Sequence, residues 1–474
     1  MLWQEAEIFM QKLQCLSPID GSVYVERPLA TGYEIQNALS SAQGAQQGWS
    51  RVPVAERVAL VRAAVNGLQQ KKAELAEEIC WQMGRPIAYA AGEIDGLAER
   101  ALYMAELAER EDGPLSDIYP AEIPGFKRFI RREPLGTAFV IAPWNYPYLT
   151  AINAIVPALL AGNSVLLKHS AQTPLCAERL VEAFAEVGLP EGVFQYLHLG
   201  HRDAEQIIIN SGVQHVAFTG SVAGGAAVEA AAAGRFLSVG LELGGKDPAY
   251  VRADADLDHA VASTVDGAFF NSGQSCCGIE RIYVHESLFD TFVKRASALI
   301  REYRLGRPDD PATTLGPLVR ASSADFVRDQ IDEAVQQGAM AHIDGGDFSL
   351  DRRGSAYMAP QLLTNVHHDM RVMSEESFGP VVGVMPVADD AEAVTLMNDS
   401  EYGLTAVIHS ADAEAALALG EQLQTGTVFL NRCDYLDPSL AWTGVKKSGR
   451  GCTLSGIGFE HLTRPKSFHF KLQC

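Results

Sequence analysis

The chain lacks any CxxC pair. Its eight cysteines are scattered at Cys15, Cys80, Cys176, Cys276, Cys277, Cys433, Cys452 and Cys474. That spacing speaks against a zinc site or a disulfide scaffold and predicts reduced thiols and no metal centre. No apolar run approaches the roughly 18 to 20 residues that cross a bilayer. Residues 1–10 carry Glu5 and Glu7 with no basic cluster ahead of an apolar core, so they do not read as a signal peptide. A cytoplasmic protein is expected. Positive charge is scarce, with 38 Lys and Arg against 59 Asp and Glu and a formal net charge of -21. Such a balance repels phosphate backbones and anionic lipid, which makes nucleic acid and membrane surfaces unexpected partners. Internal repeats are absent, and low complexity is confined to a short alanine run at 230–233.

What is present suits a large folded protein. At 474 residues, 47% hydrophobic and 20% charged, the chain exceeds what one core usually supports, so two or more domains are expected. The first hundred or so residues read as helical. Pro53 suits a first helical turn, and Val54, Val58, Val61, Val65 and Leu68 recur on one face at three- and four-residue steps. From about Thr137 short apolar runs at 137–142, 164–167, 193–197, 215–219 and 237–241 alternate with helical stretches such as 175–187 and 225–233. This is the pattern of parallel strands with crossover helices, a doubly wound α/β sheet. A second alternating block, from about Lys246 to Gly444, predicts another α/β domain.

Several motifs concentrate chemistry. Cys276 lies in Phe270-Asn271-Ser272-Gly273-Gln274-Ser275-Cys276-Cys277-Gly278, and Glu242 in Leu241-Glu242-Leu243-Gly244-Gly245-Lys246. Alone, such a Cys is usually a small buried hydrophobe and such a Glu a solvated charge. Together, a thiol and a carboxylate in glycine-flanked loops suffice to make and hydrolyse a thioester. Gly220 and Gly225 give a GxxxxG spacing rather than the usual dinucleotide fingerprint, and Ala226 stands where a P-loop needs Lys. Their position is informative: an apolar strand ending at Phe218-Thr219 feeds a Gly-rich turn that opens a helix, placing backbone NH groups where a pyrophosphate can rest.

Pro143-Trp144-Asn145-Tyr146-Pro147, Phe218-Thr219-Gly220-Ser221, the Glu242 and Cys276 segments and Glu376-Ser377-Phe378-Gly379-Pro380 together resemble the aldehyde dehydrogenase superfamily, in order and spacing over essentially the whole chain. The resemblance implies an NAD(P)-dependent, non-acylating enzyme. It divides the chain into a coenzyme-binding domain (1–115 and 135–244), a catalytic domain (245–444) and a small β extension for oligomerisation (116–134 and 445–474), forming a homodimer or homotetramer. Read by itself, Ser116 to Arg132 is a surface hairpin with solvated basic residues.

By resemblance Cys276 is the nucleophile, Glu242 the base that activates water, and Asn145 with the Cys276 backbone NH the oxyanion donors. Cys277 reads as packing. Trp144, Lys168, Ser170, Ala171, Gly220, Ser221, Gly225, Leu243, Glu376 and Phe378 would surround the coenzyme. Ala171 occupies a position that NAD-preferring members commonly give to Glu. Without that carboxylate nothing repels a 2′-phosphate, while Lys168 and Ser170 remain to bind it, so NADP is expected and NAD stays possible. The alternative, that Ala171 merely weakens ribose binding, stays open. Thr453 stands where many members carry a second Glu, which puts a two-carboxylate proton relay in doubt.

For the substrate, Asn153 occupies a position that is Arg in members taking carboxylated semialdehydes and Trp in others. Its identity argues against strong recognition of a distal carboxylate. Tyr146, Tyr148, Tyr435 and Trp442 would form an aromatic tunnel, with Asp434 or Asp437 available to a cation. Medium aliphatic or aromatic aldehydes are the leading expectation and aminoaldehydes the second. An acylating relative and a non-catalytic scaffold are the remaining alternatives.

Overall fold

The computed structural model describes residues 11–210, 212–433 and 435–472. Segments that are apolar at nearly every position form strands covered on both faces: Thr137–Ile141, Ser164–Lys168 and Asp247–Val251 contain no exposed residue. This is the burial expected of parallel sheets flanked by helices on both sides.

The first sheet has six strands in the order Gly449–Arg450, Ser238–Glu242, His215–Thr219, Thr137–Ile141, Ser164–Lys168, Phe194–Tyr196. All neighbours are parallel except the short Gly449–Arg450. The chain leaves Thr137–Ile141 toward one edge, then returns to its other side with His215–Thr219. That reversal is a topological switch point, and open α/β sheets bind ligands in the crevice beyond the carboxyl ends there. The second sheet has seven strands, in the order Met340–Ala341, Gln361–Thr364, Val381–Val387, Ile279–His285, Asp247–Val251, Thr405–His409, Thr427–Leu430. Among the described residues only Met340–Ala341 runs antiparallel in it.

Residues 243–246 carry the chain from Ser238–Glu242 of the first sheet directly into Asp247–Val251 of the second. The carboxyl edge of one sheet therefore faces the amino edge of the other. Helices of the first hundred residues cover the six-stranded sheet. Pro53 sits one position before the helix Val54–Gln70, and Val58, Val61, Val65 and Leu68 are buried while Val54 is half-buried.

Apart from both sheets, Phe126–Pro134 pairs along its length with Thr463–Lys471 in an antiparallel ribbon, and Phe129 stacks on Phe468 at 4.4 Å. The expected local hairpin is reduced to one bridge, Ile118 with Ile130. Pro120 and Pro124 have no NH to donate to a ladder, which leaves the long edge of Phe126–Pro134 for the C-terminal strand.

Candidate active site

Cys276 lies just ahead of the strand Ile279–His285, at the amino edge of the seven-stranded sheet. The turn before it is left-handed at Asn271 (φ 54), Ser272 (φ 58) and Gly273 (φ 71). A non-glycine residue in that region costs about 1 to 2 kcal/mol, so the surroundings must over-determine it. They do. Asn271 Nδ2 donates to the Asn145 and Gln274 carbonyls at 3.2 and 3.1 Å, and its Oδ1 accepts from Arg85 Nε at 3.1 Å. Ser272 Oγ donates to the Gly316 carbonyl at 2.8 Å. A Cβ on Gly273 would fall 2.3 Å from the Gly379 carbonyl, so only glycine fits. Of the adjacent thiols Cys276 is the more open, whereas Cys277 is 4% exposed with its sulfur 3.5 Å from Ser275 Oγ.

Glu242 is the last residue of Ser238–Glu242, at the carboxyl edge of the six-stranded sheet. Its Oε2 accepts from Thr219 Oγ1 at 3.1 Å and its Oε1 from Thr453 Oγ1 at 2.6 Å. Burial pushes its pKa above the ordinary carboxylate value, opposed by the two hydroxyls and the charge of Arg100. Thr453 is fixed by a two-way backbone pairing with Trp442, both bonds 2.9 Å. Where the resemblance would place a second carboxylate, a hydroxyl thus bonds Glu242 directly. Behind the pair a cavity of about 30 Å³, lined also by His215 and His461, has room for about one or two waters.

Asn145 follows the strand Thr137–Ile141 and is 5% exposed; its Nδ2 donates to the Gln274 carbonyl at 3.3 Å, two residues from Cys276. Arg85 Nη2 donates to the Asn145 carbonyl at 2.6 Å. Arg85 is ion-paired in turn with buried Glu93, whose Oε1 accepts the Tyr148 and Leu149 backbone NH groups at 3.0 and 2.9 Å. Arg85, Glu93 and Asn271 therefore tie the Asn145 loop to the Cys276 turn. Sequence reasoning gave none of the three a role: Arg85 and Glu93 stand in no recognisable chemical pattern, and Asn271, although inside the Cys276 motif, shows its function only through its tertiary hydrogen bonds.

Beyond the switch point the expected coenzyme residues converge. Ser221 caps the helix Val222–Ala232, its Oγ accepting from Gly224 N at 3.1 Å, which leaves its hydrogen free to donate. Gly220 stands ahead of that cap, and a Cβ on Gly225 would meet Leu243 Cδ2 at 2.6 Å, so helix and buried Leu243 pack at glycine distance. Lys168 ends Ser164–Lys168 and is buried without an ion pair among the described residues; burial lowers its pKa. Ser170 is half-buried and Ala171 exposed just beyond it. Trp144 meets Phe378 edge-on at 5.6 Å. Glu376 Oε1 accepts from Gly245 N at 3.0 Å, and burial, reinforced by neighbouring Glu280, raises its pKa to about 7. Glu280, also overlooked, pairs with Lys246 and accepts from Ser377 N and Phe378 N at 2.8 and 2.9 Å.

Cys276 and Glu242 line one cavity of about 250 Å³, together with Tyr146, Asn153, Trp442 and Arg100. Two expected wall residues stand elsewhere. Tyr148 is fully buried in the helix Pro147–Leu160, on the face turned to the core. Tyr435 borders a neighbouring cavity and donates from its hydroxyl to Glu99 at 2.6 Å. Asp437 accepts from Ser439 N and Oγ at 2.8 and 2.6 Å, a local turn rather than a cation site. Asp434 lies outside the described residues.

A switch-point crevice with a capped helix end and a buried carboxylate at the carboxyl edge of one sheet, facing an open thiol at the amino edge of a second, defines an oxidoreductase scaffold built on two sheets. The model of the aldehyde dehydrogenase family matches residues 3–468, and the chain belongs to that family, whose reaction is aldehyde oxidation. A succinate-semialdehyde dehydrogenase [NADP(+)] of Deinococcus radiodurans is 36% identical over 95% of this chain and 93% of its own. A succinate semialdehyde dehydrogenase [NAD(P)+] of Escherichia coli is 34% identical over 94% and 95%. The solved structure of an NADP-dependent glyceraldehyde-3-phosphate dehydrogenase from Bacillus halodurans, complexed with NADP, superposes with a TM-score of 0.91 at 32% identity, covering 98% of this chain and 96% of that one.

Proposed function

We propose that this protein oxidises a small aldehyde to its carboxylic acid with hydrolysis of a Cys276 thioester, using NADP in preference to NAD. The observation that carries this reading is the meeting of Cys276 and Glu242, from opposite sheets, in one cavity. The Cys276 thiolate attacks the carbonyl carbon, and the alkoxide that develops takes hydrogen bonds from Asn145 Nδ2 and the Cys276 backbone NH. One such donor is worth about 3 to 4 kcal/mol in the transition state. The bound coenzyme supplies the hydride acceptor. Glu242 then takes a proton from the water that attacks the acyl carbon, and its raised pKa suits a base working near neutrality. Thr219 and Thr453 hold the carboxylate in register for that transfer.

The preference for NADP rests on exposed Ala171 beside Lys168, a buried ammonium with no anionic partner among the described residues and hence fitted to a phosphate. The named NADP-using relatives support it. The cavity is smaller than those that hold drug-sized ligands, which favours small aldehydes, and Tyr146, Leu149, Phe270 and Trp442 make its wall largely apolar and aromatic. Aliphatic aldehydes of short to medium length fit best. The succinate semialdehyde in two relatives' names points to the same size. The test is the absorbance of reduced nicotinamide with purified protein, a four- to eight-carbon aldehyde and either coenzyme, without coenzyme A or phosphate. Steady turnover, faster with NADP, is the expected result; no turnover without an added acyl acceptor would place the protein among acylating enzymes.

A further inference from the structure

We propose that Arg100 sets substrate specificity by seating a carboxylate at the far end of the aldehyde, so that the preferred substrates are short ω-carboxyaldehydes. This rests on Cys276 and Glu242 being the reacting pair of the same cavity. Arg100 lies on the inward face of the helix Ile87–Glu109, is 6% exposed, and lines that cavity. Its Nη1 donates to the Leu149 carbonyl at 3.1 Å and to Asn153 Oδ1 at 3.4 Å. Among the described residues its Nε and Nη2 have no acceptor and it forms no ion pair.

The contrast with Arg85 in the same wall is informative. Arg85 is neutralised by Glu93, whose remaining lone pairs are taken by the Tyr148 and Leu149 NH groups. Glu93 is thus committed and makes no direct ion pair with Arg100, on which Glu93 and Glu242 act only through longer-range charge. A largely buried guanidinium with donors left open toward the cavity and no bonded anion is poorly compensated, and an entering carboxylate relieves it through the paired donors that guanidinium presents. The rest of the wall is largely apolar, so a carboxylate has no comparable partner elsewhere. Asn153, uncharged itself, steadies Arg100 by accepting from Nη1. The positive charge missing at position 153 therefore arrives from another helix. Arg100 also favours the ionised form of Glu242, and a role confined to that base is the competing explanation.

Kinetics with 4-oxobutanoate and butanal, matched in chain length, test the proposal. Wild type should favour 4-oxobutanoate by about ten- to a hundredfold in kcat/KM, as charge-assisted hydrogen bonds allow. R100M should bring the ratio of the two substrates near one, with the loss in KM for 4-oxobutanoate, and R100K should restore part of it. Succinate should compete with butanal in wild type, while succinamide should not; this arm needs no variant and stands even if R100M fails to fold. Equal kcat/KM for both substrates in wild type, with no inhibition by succinate, overturns the proposal while leaving aldehyde oxidation intact. Equal losses on both substrates in R100M, with a shifted pH profile for butanal, assign Arg100 to Glu242 alone and also overturn it. Failure to oxidise either substrate would instead overturn the hydrolytic reading on which it rests.

Discussion

Glu242 is gripped by two hydroxyls, and the shorter bond, from Thr453, stabilises its ionised form. Removing that donor in T453V should raise the Glu242 pKa further. A base acts when deprotonated, so the acid limb of the deacylation profile should move to higher pH by about one unit, the equivalent of one hydrogen bond. Measuring kcat against pH, where hydrolysis limits turnover, checks this; an unmoved limb would remove Thr453 from the account of the base. At the coenzyme end, A171E would place a carboxylate beside Lys168. Its repulsion of a 2′-phosphate should lower kcat/KM for NADP at least about tenfold relative to NAD. An unchanged ratio of the two values would show that position 171 does not govern the choice. Cys276, Glu242 and Asn145 were legible as candidates because they sit in glycine- and proline-marked loops whose order matches the family. Arg100 was not: on a helix a single arginine looks like any solvated cation until its burial and partners are known.

At the scale of elements, the linker 243–246 joins the two sheets and brings their edges within glycine distance. A Cβ on Gly245 would lie 2.2 Å from the Cys276 carbonyl. G245A should therefore displace the Cys276 loop, cutting kcat about a hundredfold while costing about 1 to 3 kcal/mol of stability. Turnover and a denaturant titration separate the two effects, and near-normal kcat would contradict the close packing. The strand that follows opens on Asp247, a buried carboxyl accepting from Thr405 N and Oγ1 at 3.0 and 2.7 Å, with its pKa pushed up by burial to about 8. A folded-state pKa above the unfolded value means that the native state holds the proton more tightly. Its contribution is complete below about pH 4 and is lost as pH rises toward 8. Denaturation midpoints between pH 5 and 8.5 should fall less steeply in D247N than in wild type. The strands themselves were readable because they are short runs apolar at most positions. The left-handed turn at Asn271 and Ser272 was not, since only its tertiary hydrogen bonds make that conformation tolerable.

For the whole molecule, what matters is that two open sheets meet carboxyl edge to amino edge, which puts coenzyme crevice and thiol on either side of one junction. The alternation of strands and helices announced both sheets, and the resemblance joined 116–134 to the C-terminal segment, but the register of Phe126–Pro134 with Thr463–Lys471 could not be read from the residues. That ribbon and the segment before it expose Ile118, Tyr119, Ile123, Phe470 and Leu472. An uncovered apolar patch on paired strands is suited to a second copy of the chain. Light scattering should report a dimer or tetramer, and I123D should shift it toward monomer; a monomeric wild type would rule the association out. The central claim, hydrolysis of a Cys276 acyl-enzyme by Glu242, is tested most directly by stopped-flow absorbance of NADPH with E242Q. The expected trace is a burst of one NADPH per subunit, followed by a steady rate at most about one hundredth of wild type. A full steady rate in E242Q would contradict it.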